Sequence, residues 1–445
     1  LYLADSLDQE KIMNYFDKWY DRFDLFSQDS PFFQTAGLEL IDKKKEAYEL
    51  PITLIQLSKA SGNQKTLFDH SRDEEVFPMS PAEASRSLLV AQNYLLGGLN
   101  KKETNYFGYQ FRFEKSVMTY KLFCLLQGQN LFKTLALNLP VLTTSSPIPS
   151  TASDQPLWER ENDLRVGAIT PDGYFDYMTC KGRHILFLPR LTAKKDIIVR
   201  SLYMAQGVQM ESVPCPFGLY KKNNTRPMED IPIKLVEDKT LWRDSEAIFS
   251  FSDNNDRRPF AFRHVGNAIM RKIVEFPNRQ SCMIFGIATN KDYSVAKLWR
   301  KESFRFPTKL LSSKDIVDRL KFGMTLIQNA GEILQIAAKL YVECCLPKDT
   351  RKTEIIKAIN ASGVMSLYWS QTELPYRKFM EDVDRGDEMI NSLKKDIKSC
   401  ARKAFKTCFE HRFTSSGKTY CAWVRGSAAL ERGLAKKLGK EGGNG

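Results

Sequence analysis

The stretch SSKDIVDRLKFGMTLIQNAGEILQIAAKLYVECCL (312–346) decides the fold class of this chain. Its apolar residues recur at helical spacing, and no proline interrupts it before Pro347. Residues 352–368, 374–409 and 419–439 read the same way, so four long helices with short connections predict an antiparallel bundle. Gly331 and Gly363 lower helix propensity locally without ending these helices. Upstream of Pro307 the pattern changes to short β-branched or aromatic runs split by turns: HILFLP (184–189), IIVRSLYMA (197–205), IPIKLVE (231–237), RKIVEF (271–276) and SCMIFGIAT (281–289). The predicted fold class is α+β. An irregular N-terminal α/β domain with mostly antiparallel strands over residues 1–307 precedes a C-terminal four-helix bundle over 308–445.

Within the first domain, residues 9–23 read as an amphipathic helix, with Ser6 and Asp8 as candidate caps. Residues 80–96 form a stronger one: Ser80 caps, Pro81 takes the first helical position, Glu83 completes a capping box, and Gly97 and Gly98 end it. Residues 129–139 read as a third helix. The segment 99–120 is aromatic and basic and reads as a loop with strand character, and 141–156 is a Ser/Thr/Pro linker.

The formal net charge is +13 over 445 residues, which suits a polyanionic or acidic partner. The excess is concentrated: residues 391–445 hold 13 Lys/Arg against 4 Asp/Glu, net +9. Lys394, Lys395, Lys398, Arg402, Lys403 and Lys406 are the candidate phosphate contacts there. The nine cysteines include no CxxC pair, so they read as small hydrophobes of a reducing compartment, and the protein is expected to be cytoplasmic. No apolar run reaches the roughly 18 residues of a membrane span. The chain begins at Leu1, so an N-terminal piece is expected to precede it.

Enzyme signatures are missing from the sequence. There is no P-loop, no dinucleotide fingerprint, no H-E-x-x-H and no nucleophile elbow. Asp253 with Asp256, and Asp382 with Asp384, read as turn or helix-end charges rather than a metal pair, and His70 has no nucleophile at readable spacing. No catalytic residue, metal or cofactor is expected. A metal-dependent nuclease and a protein-only scaffold docking an acidic partner are the competing readings.

Seven strings then resemble one family in the right order: YFDKWYDRFDLFSQDSPFFQ (15–34), KTLFDHSRDE (65–74), SPAEASRSLLVAQNYLLGG (80–98), GQNLFKTLALNLP (128–140), PDGYFDYMTCKGRHILFLPR (171–190), TLWRDSEAIF (240–249) and YWSQTE (368–373). The chain resembles the large subunit (CasA) of the type I-E CRISPR Cascade surveillance complex. That resemblance implies a non-catalytic subunit at the guide-RNA 5′ end. It would recognise the protospacer-adjacent motif in double-stranded target DNA, help open the duplex, contact the other Cascade subunits, and dock the helicase–nuclease.

Residue by residue, the resemblance places the motif-sensing turn at Thr289, Asn290 and Lys291, where lysine replaces the family's wedge glutamine. It places the minor-groove loop at Lys115–Tyr120, which holds no glycine, so Ser116 and Thr119 are its candidates. Lys221 and Lys222, then Lys234, are candidates for the lysine that enters the minor groove, and Asn63 and Phe68 for the loop that reaches guide RNA or DNA. Read without the family, TNKD is an ordinary surface turn and Phe68 a buried ring.

Overall fold

The computed structural model describes residues 2–4, 6–41, 46–59, 77–140, 148, 151–210, 213–223, 225, 230–237, 239–249, 257–410 and 416–439. The chain divides into two compact units. One comprises residues 1–239, 259–261 and 283–302; the other comprises 240–258, 262–282 and 303–445.

The first unit is built on local signals that agree with its tertiary packing. Asp8 caps the helix Gln9–Trp19 by accepting from the Lys11 amide, and a 3-10 turn, Tyr20–Phe23, continues it. Ser80 and Glu83 form the expected reciprocal capping box on the helix Pro81–Tyr94. That helix buries Ala84, Leu88 and Ala91. They join a core with Ile52, Ile55, Tyr177, Ile185, Phe187, Val199 and Leu202. The last four residues lie on an antiparallel hairpin, Arg183–Leu191 with Ile197–Gln206, in which Phe187 faces Leu202. A second sheet joins Leu40–Ile41 to the hairpin Gly98–Thr104 and Gly108–Phe113. A third orders Ala296–Pro307, Arg279–Thr289 and Phe123–Gln127. Pairing is antiparallel in most registers; Gly167–Ile169 with Val208–Met210 is parallel.

Two strand expectations change. Arg271–Phe276 is not a strand: it follows the helix Phe260–Met270, the Arg271 amide still bonds the Asn267 carbonyl at 3.0 Å, and Lys272 (φ +54°) turns the chain out. Of 231–237 only Ile231–Pro232 forms a strand, extended by Ile233, whose amide donates to the Leu219 carbonyl at 2.8 Å and whose carbonyl accepts from the Leu122 amide at 3.1 Å. The 12-residue strand Ala296–Pro307, half-exposed along most of its length, escaped notice because Trp299, Arg300 and Lys301 break the apolar pattern.

The second unit carries the expected C-terminal helical bundle, built among the described residues from Lys314–Cys345, Lys352–Ser362, Val364–Glu381, Asp387–Phe409 and Gly417–Leu438, so the spans read as 352–368 and 374–409 are divided differently. The breaks fall at glycines with positive φ, Gly363 (+72°) and Gly386 (+100°), a conformation that other residues rarely adopt. Pro375 lies inside the helix Val364–Glu381. Its missing N–H frees the Gln371 carbonyl, and the Cys400 thiol of the neighbouring helix donates to that oxygen at 3.5 Å. Two of the strings that carried the resemblance pack together here. Trp242 lies 6.1 Å from Trp369 and 5.1 Å from Tyr376, and the Arg243 guanidinium sits 3.7 Å from the Trp369 ring centre. Trp242, Tyr376 and Phe379 are buried, and each such side chain contributes about 1.5–3 kcal/mol.

Candidate nucleic-acid interface

The turn between Thr289 and Ala296 is held by one side chain. Asn290 Oδ1 accepts from the amides of Ser294 (2.8 Å) and Val295 (3.1 Å), and Nδ2 donates to Ser294 Oγ (2.9 Å). The Asn290 backbone exchanges with Val295 and Tyr293, and Tyr293 adopts φ +55°. Both Oδ1 lone pairs are thus used, and one amide hydrogen remains. Thr289 and Asn290 are half-buried, whereas Lys291 and Asp292 are exposed at the tip. Lys291 has no hydrogen-bond or ion-pair partner among the described residues.

Tyr293 brings other segments to this turn. Its ring lies 6.0 Å from Tyr120. The Lys115 ammonium sits 4.7 Å from the Tyr293 ring centre and 5.0 Å from that of Tyr120. Lys234 lies 5.0 Å from the Tyr293 ring centre and donates to its hydroxyl. Lys234 is placed by its neighbours: Ile233 and Leu235 point into the core, Lys297 pairs with Glu237, and Arg300 donates to the Lys239 carbonyl at 2.7 Å. Turn, loop and lysine, read separately in the sequence, therefore meet on one patch. Lys115, Tyr120 and Tyr293, which join them, were missed because only tertiary contact reveals their role.

Ser116 and Thr119 lie in this loop with their side chains turned inward. Both are buried, donating to the carbonyls of Ala91 (3.3 Å) and Leu95 (3.1 Å) at the end of the helix Pro81–Tyr94. Lys221 and Lys222 are exposed at the start of a separate hairpin, Tyr220–Lys221 with Ile231–Pro232, and neither makes an ion pair among the described residues. Asn63, Phe68 and His70 lie outside the described residues, as do Asp253 and Asp256.

On the helix Asp387–Phe409, Leu393, Ile397, Ala401 and Phe405 face the core. The six basic candidates occupy roughly one half of its circumference at about 100° per residue. Lys395, Arg402, Lys403 and Lys406 are exposed, and Lys394 and Lys398 half-buried. Arg402 is engaged by Glu431 through two 2.7 Å bonds and Lys406 by Glu410 at 3.5 Å, which leaves four cations without an ion pair among the described residues.

No group of three His, Cys, Asp or Glu side chains that could hold a metal occurs among the described residues. Asp382 and Asp384 pair with Arg279 at 3.5 and 3.0 Å. No described helix is long and apolar enough to cross a membrane.

The mixed α/β unit thus carries a lysine–tyrosine patch and the helical unit a cationic face. Residues 1–410 match the family model for CRISPR-associated protein Cse1, and the chain belongs to this family. It is 26% identical to the CRISPR-associated protein CasA/Cse1 of Thermus thermophilus, over 97% of this chain and 83% of that protein. A crystal structure of Thermus thermophilus CasA superposes with a TM-score of 0.75 at 21% identity, covering 97% of this chain and 84% of the other. Cse1 from Acidimicrobium ferrooxidans gives 0.77 at 19%, covering 98% and 84%. A chain of a CRISPR RNA-guided surveillance complex gives 0.70 at 18%, covering 98% and 83%. Membership of the family makes this chain a non-catalytic DNA-recognition subunit of Cascade.

Proposed function

We propose that the patch around Tyr293 checks the motif beside the target and starts duplex opening. The observation that carries this reading is the convergence of the Thr289–Lys291 turn, the Lys115–Tyr120 loop and Lys234 on one tyrosine. Lys291 is the wedge: its long stem enters between base pairs while its ammonium reaches phosphate. Asn290 offers its remaining amide hydrogen to a minor-groove acceptor, a contact that A·T allows and the guanine amino group of G·C disfavours, so the check separates A·T from G·C and is otherwise permissive. Lys234 approaches the same groove, ahead of Lys221 and Lys222 because it adjoins the turn. Lys115 and Tyr120 present the outer face of the loop, with Ser116 and Thr119 anchoring it.

The unpaired lysines of the helix Asp387–Phe409 supply sequence-independent phosphate contacts. The partners are double-stranded target DNA, the guide-RNA 5′ end (reached by the loop of Asn63 and Phe68), the other Cascade subunits, and the helicase–nuclease recruited after target binding. The protein works in the cytoplasm without a cofactor. The test is binding of the assembled guide complex to a randomised-motif DNA library, with and without this chain. Motif preference that survives omission of the chain defeats the proposal.

A further inference from the structure

Two strings far apart in sequence, SPFFQT (30–35) and CKGRH (180–184), meet at a cavity of about 440 Å³ in the first unit. Phe32 and Trp158 form one wall, their ring centres 6.3 Å apart, backed by Phe33 and Phe23 at 6.1 and 5.7 Å from Trp158. Lys181 lines the cavity and is only 4% exposed. Its ammonium donates to Thr35 Oγ1 at 3.2 Å and to the Gln34 carbonyl at 3.4 Å, both long, and no carboxylate lies within 4 Å among the described residues.

The proton positions around it follow from one carbonyl. The Arg165 carbonyl can only accept, so His184 Nε2 carries the hydrogen of their 3.0 Å contact. His184 Nδ1 is then the acceptor for the Thr35 hydroxyl at 2.8 Å, and Thr35 Oγ1 accepts from Lys181. Burial, reinforced by the Lys181 charge, holds His184 down to about 4, so this order persists at neutral pH. Thr35 cannot swing to offer Lys181 a better partner, and one ammonium hydrogen has none among the described residues.

The other charges lining the cavity are mostly spoken for. Asp163 is held by Arg165 at 2.7 Å, and Arg160 by Asp172 and Asp176 at 3.0 and 3.6 Å. Arg165 also bonds Asp176 at 2.7 Å, so this layer of two arginines and three aspartates carries one negative charge, which balances Lys181. The site thus suits a neutral ring on its floor better than a buried anion. At the mouth, half-buried Arg22 has no ion pair among the described residues and stands with exposed Gln28 and Asp29. Lys181 and Arg22 only donate, so the ligand must present acceptors, and the aromatic wall asks for a flat ring. A nucleobase with its phosphate meets both demands, whereas an acidic peptide has no use for the wall.

We propose that this cavity binds one unpaired nucleotide, its base against Trp158 and Phe32 with an acceptor atom on the Lys181 ammonium, and its phosphate at Arg22. The inference rests on the cavity alone and does not require the motif-checking patch.

The first test titrates the full chain with uridine 5′-monophosphate, guanosine 5′-monophosphate and uridine by calorimetry. The nucleotides are expected to saturate one site. Lys181→Met should weaken them about tenfold, as loss of one charge-assisted hydrogen bond does. Arg22→Ala should weaken the nucleotides and leave uridine unchanged. Lys181→Met removes the charge that balances the arginine–aspartate layer, so its melting temperature should fall; if it does not fold, Arg22→Ala at the mouth still decides. No saturable nucleotide binding, equal binding by the variants, or capture of a polyglutamate peptide in place of nucleotides overturns the proposal. The second test places 4-thiouridine in the guide RNA, or 4-thiothymidine in either DNA strand, of the assembled complex. Photocrosslinks to residues 28–37 or 157–164 from RNA assign the guide as the source, and crosslinks from DNA assign that strand. Crosslinks from neither overturn the assignment.

Discussion

Replacing Asn290 separates the two jobs proposed for it. Alanine removes an acceptor shared by two backbone amides, at 2.8 and 3.1 Å, and the donor to Ser294 Oγ. The site is half-buried, so water recovers part of the loss, and the two amide bonds together are worth about 1–2 kcal/mol of turn order. If that order is restored only on binding DNA, duplex opening falls about 5- to 30-fold. Aspartate keeps Oδ1 for both amides and can accept from the Ser294 hydroxyl, but has no hydrogen for a base acceptor. The expected pattern is that Asn290→Ala loses motif discrimination and opening, and Asn290→Asp keeps opening and loses discrimination. Lys291→Ala, at the exposed tip, should leave thermal stability within about 0.5 kcal/mol. It should weaken opening of duplex while sparing a pre-opened bubble. The assay is R-loop formation by the assembled complex on matched duplex and bubble DNA with motif variants. If Lys291→Ala lowers duplex and bubble equally and motif preference is untouched, or if Asn290→Asp discriminates as well as the parent, the turn is only a solvated staple.

Reversing Lys395 and Lys403, which have no ion pair among the described residues, should flatten the slope of log affinity against log salt by about 0.9 for each phosphate no longer neutralised, whereas Arg402→Ala, engaged by Glu431, should change it less; an unchanged slope moves this face to protein docking. The isolated chain should neither cleave labelled DNA nor hydrolyse ATP with divalent metals; cleavage that co-purifies with it and vanishes on changing one carboxylate contradicts this. Burial and the Lys181 charge hold the folded His184 down to about 4, against an ordinary value of about 6.5, so between those values the unfolded chain binds more protons and stability falls as pH drops, by on the order of 3 kcal/mol at pH 4. Melting temperature against pH should show this fall for the parent and lose it in His184→Gln, while Lys181→Met, which removes the second cause of the shift, should shrink it.

The parts of the fold legible in the sequence are those where local and tertiary preferences agree. Ser80, Pro81 and Glu83 form a cap whatever surrounds them, and Leu88 and Ala91 then face the core at helical spacing. The bundle was legible as helices, but its breaks required backbone conformation: Gly363 and Gly386 adopt positive φ, whereas Gly331 stays helical against the rings of Tyr368 and Trp369. Glycine identity alone does not distinguish these cases. Pro375 misleads in the opposite direction, because the Cys400 thiol, 29 residues from Gln371, supplies its carbonyl with a donor that no local pattern announces.

The candidate interface was legible as separate segments and not as a site, for a related reason. Sequence reading favours residues whose chemistry is self-evident, and so it selected Ser116 and Thr119 in the Lys115–Tyr120 loop. Their hydroxyls are drawn to carbonyls at the end of the preceding helix, Ala91 and Leu95, each of which also accepts a backbone amide. Once they are drawn inward, the residues left to face outward are the flanking pair, Lys115 and Tyr120. Tyr293 can bind that pair and Lys234 at once because a positive φ and the Asn290 staple turn its ring back across the hairpin connection. The polar loop residues therefore build the surface, and the cation–aromatic pairs around Tyr293 set the spacing of the groups proposed to meet DNA.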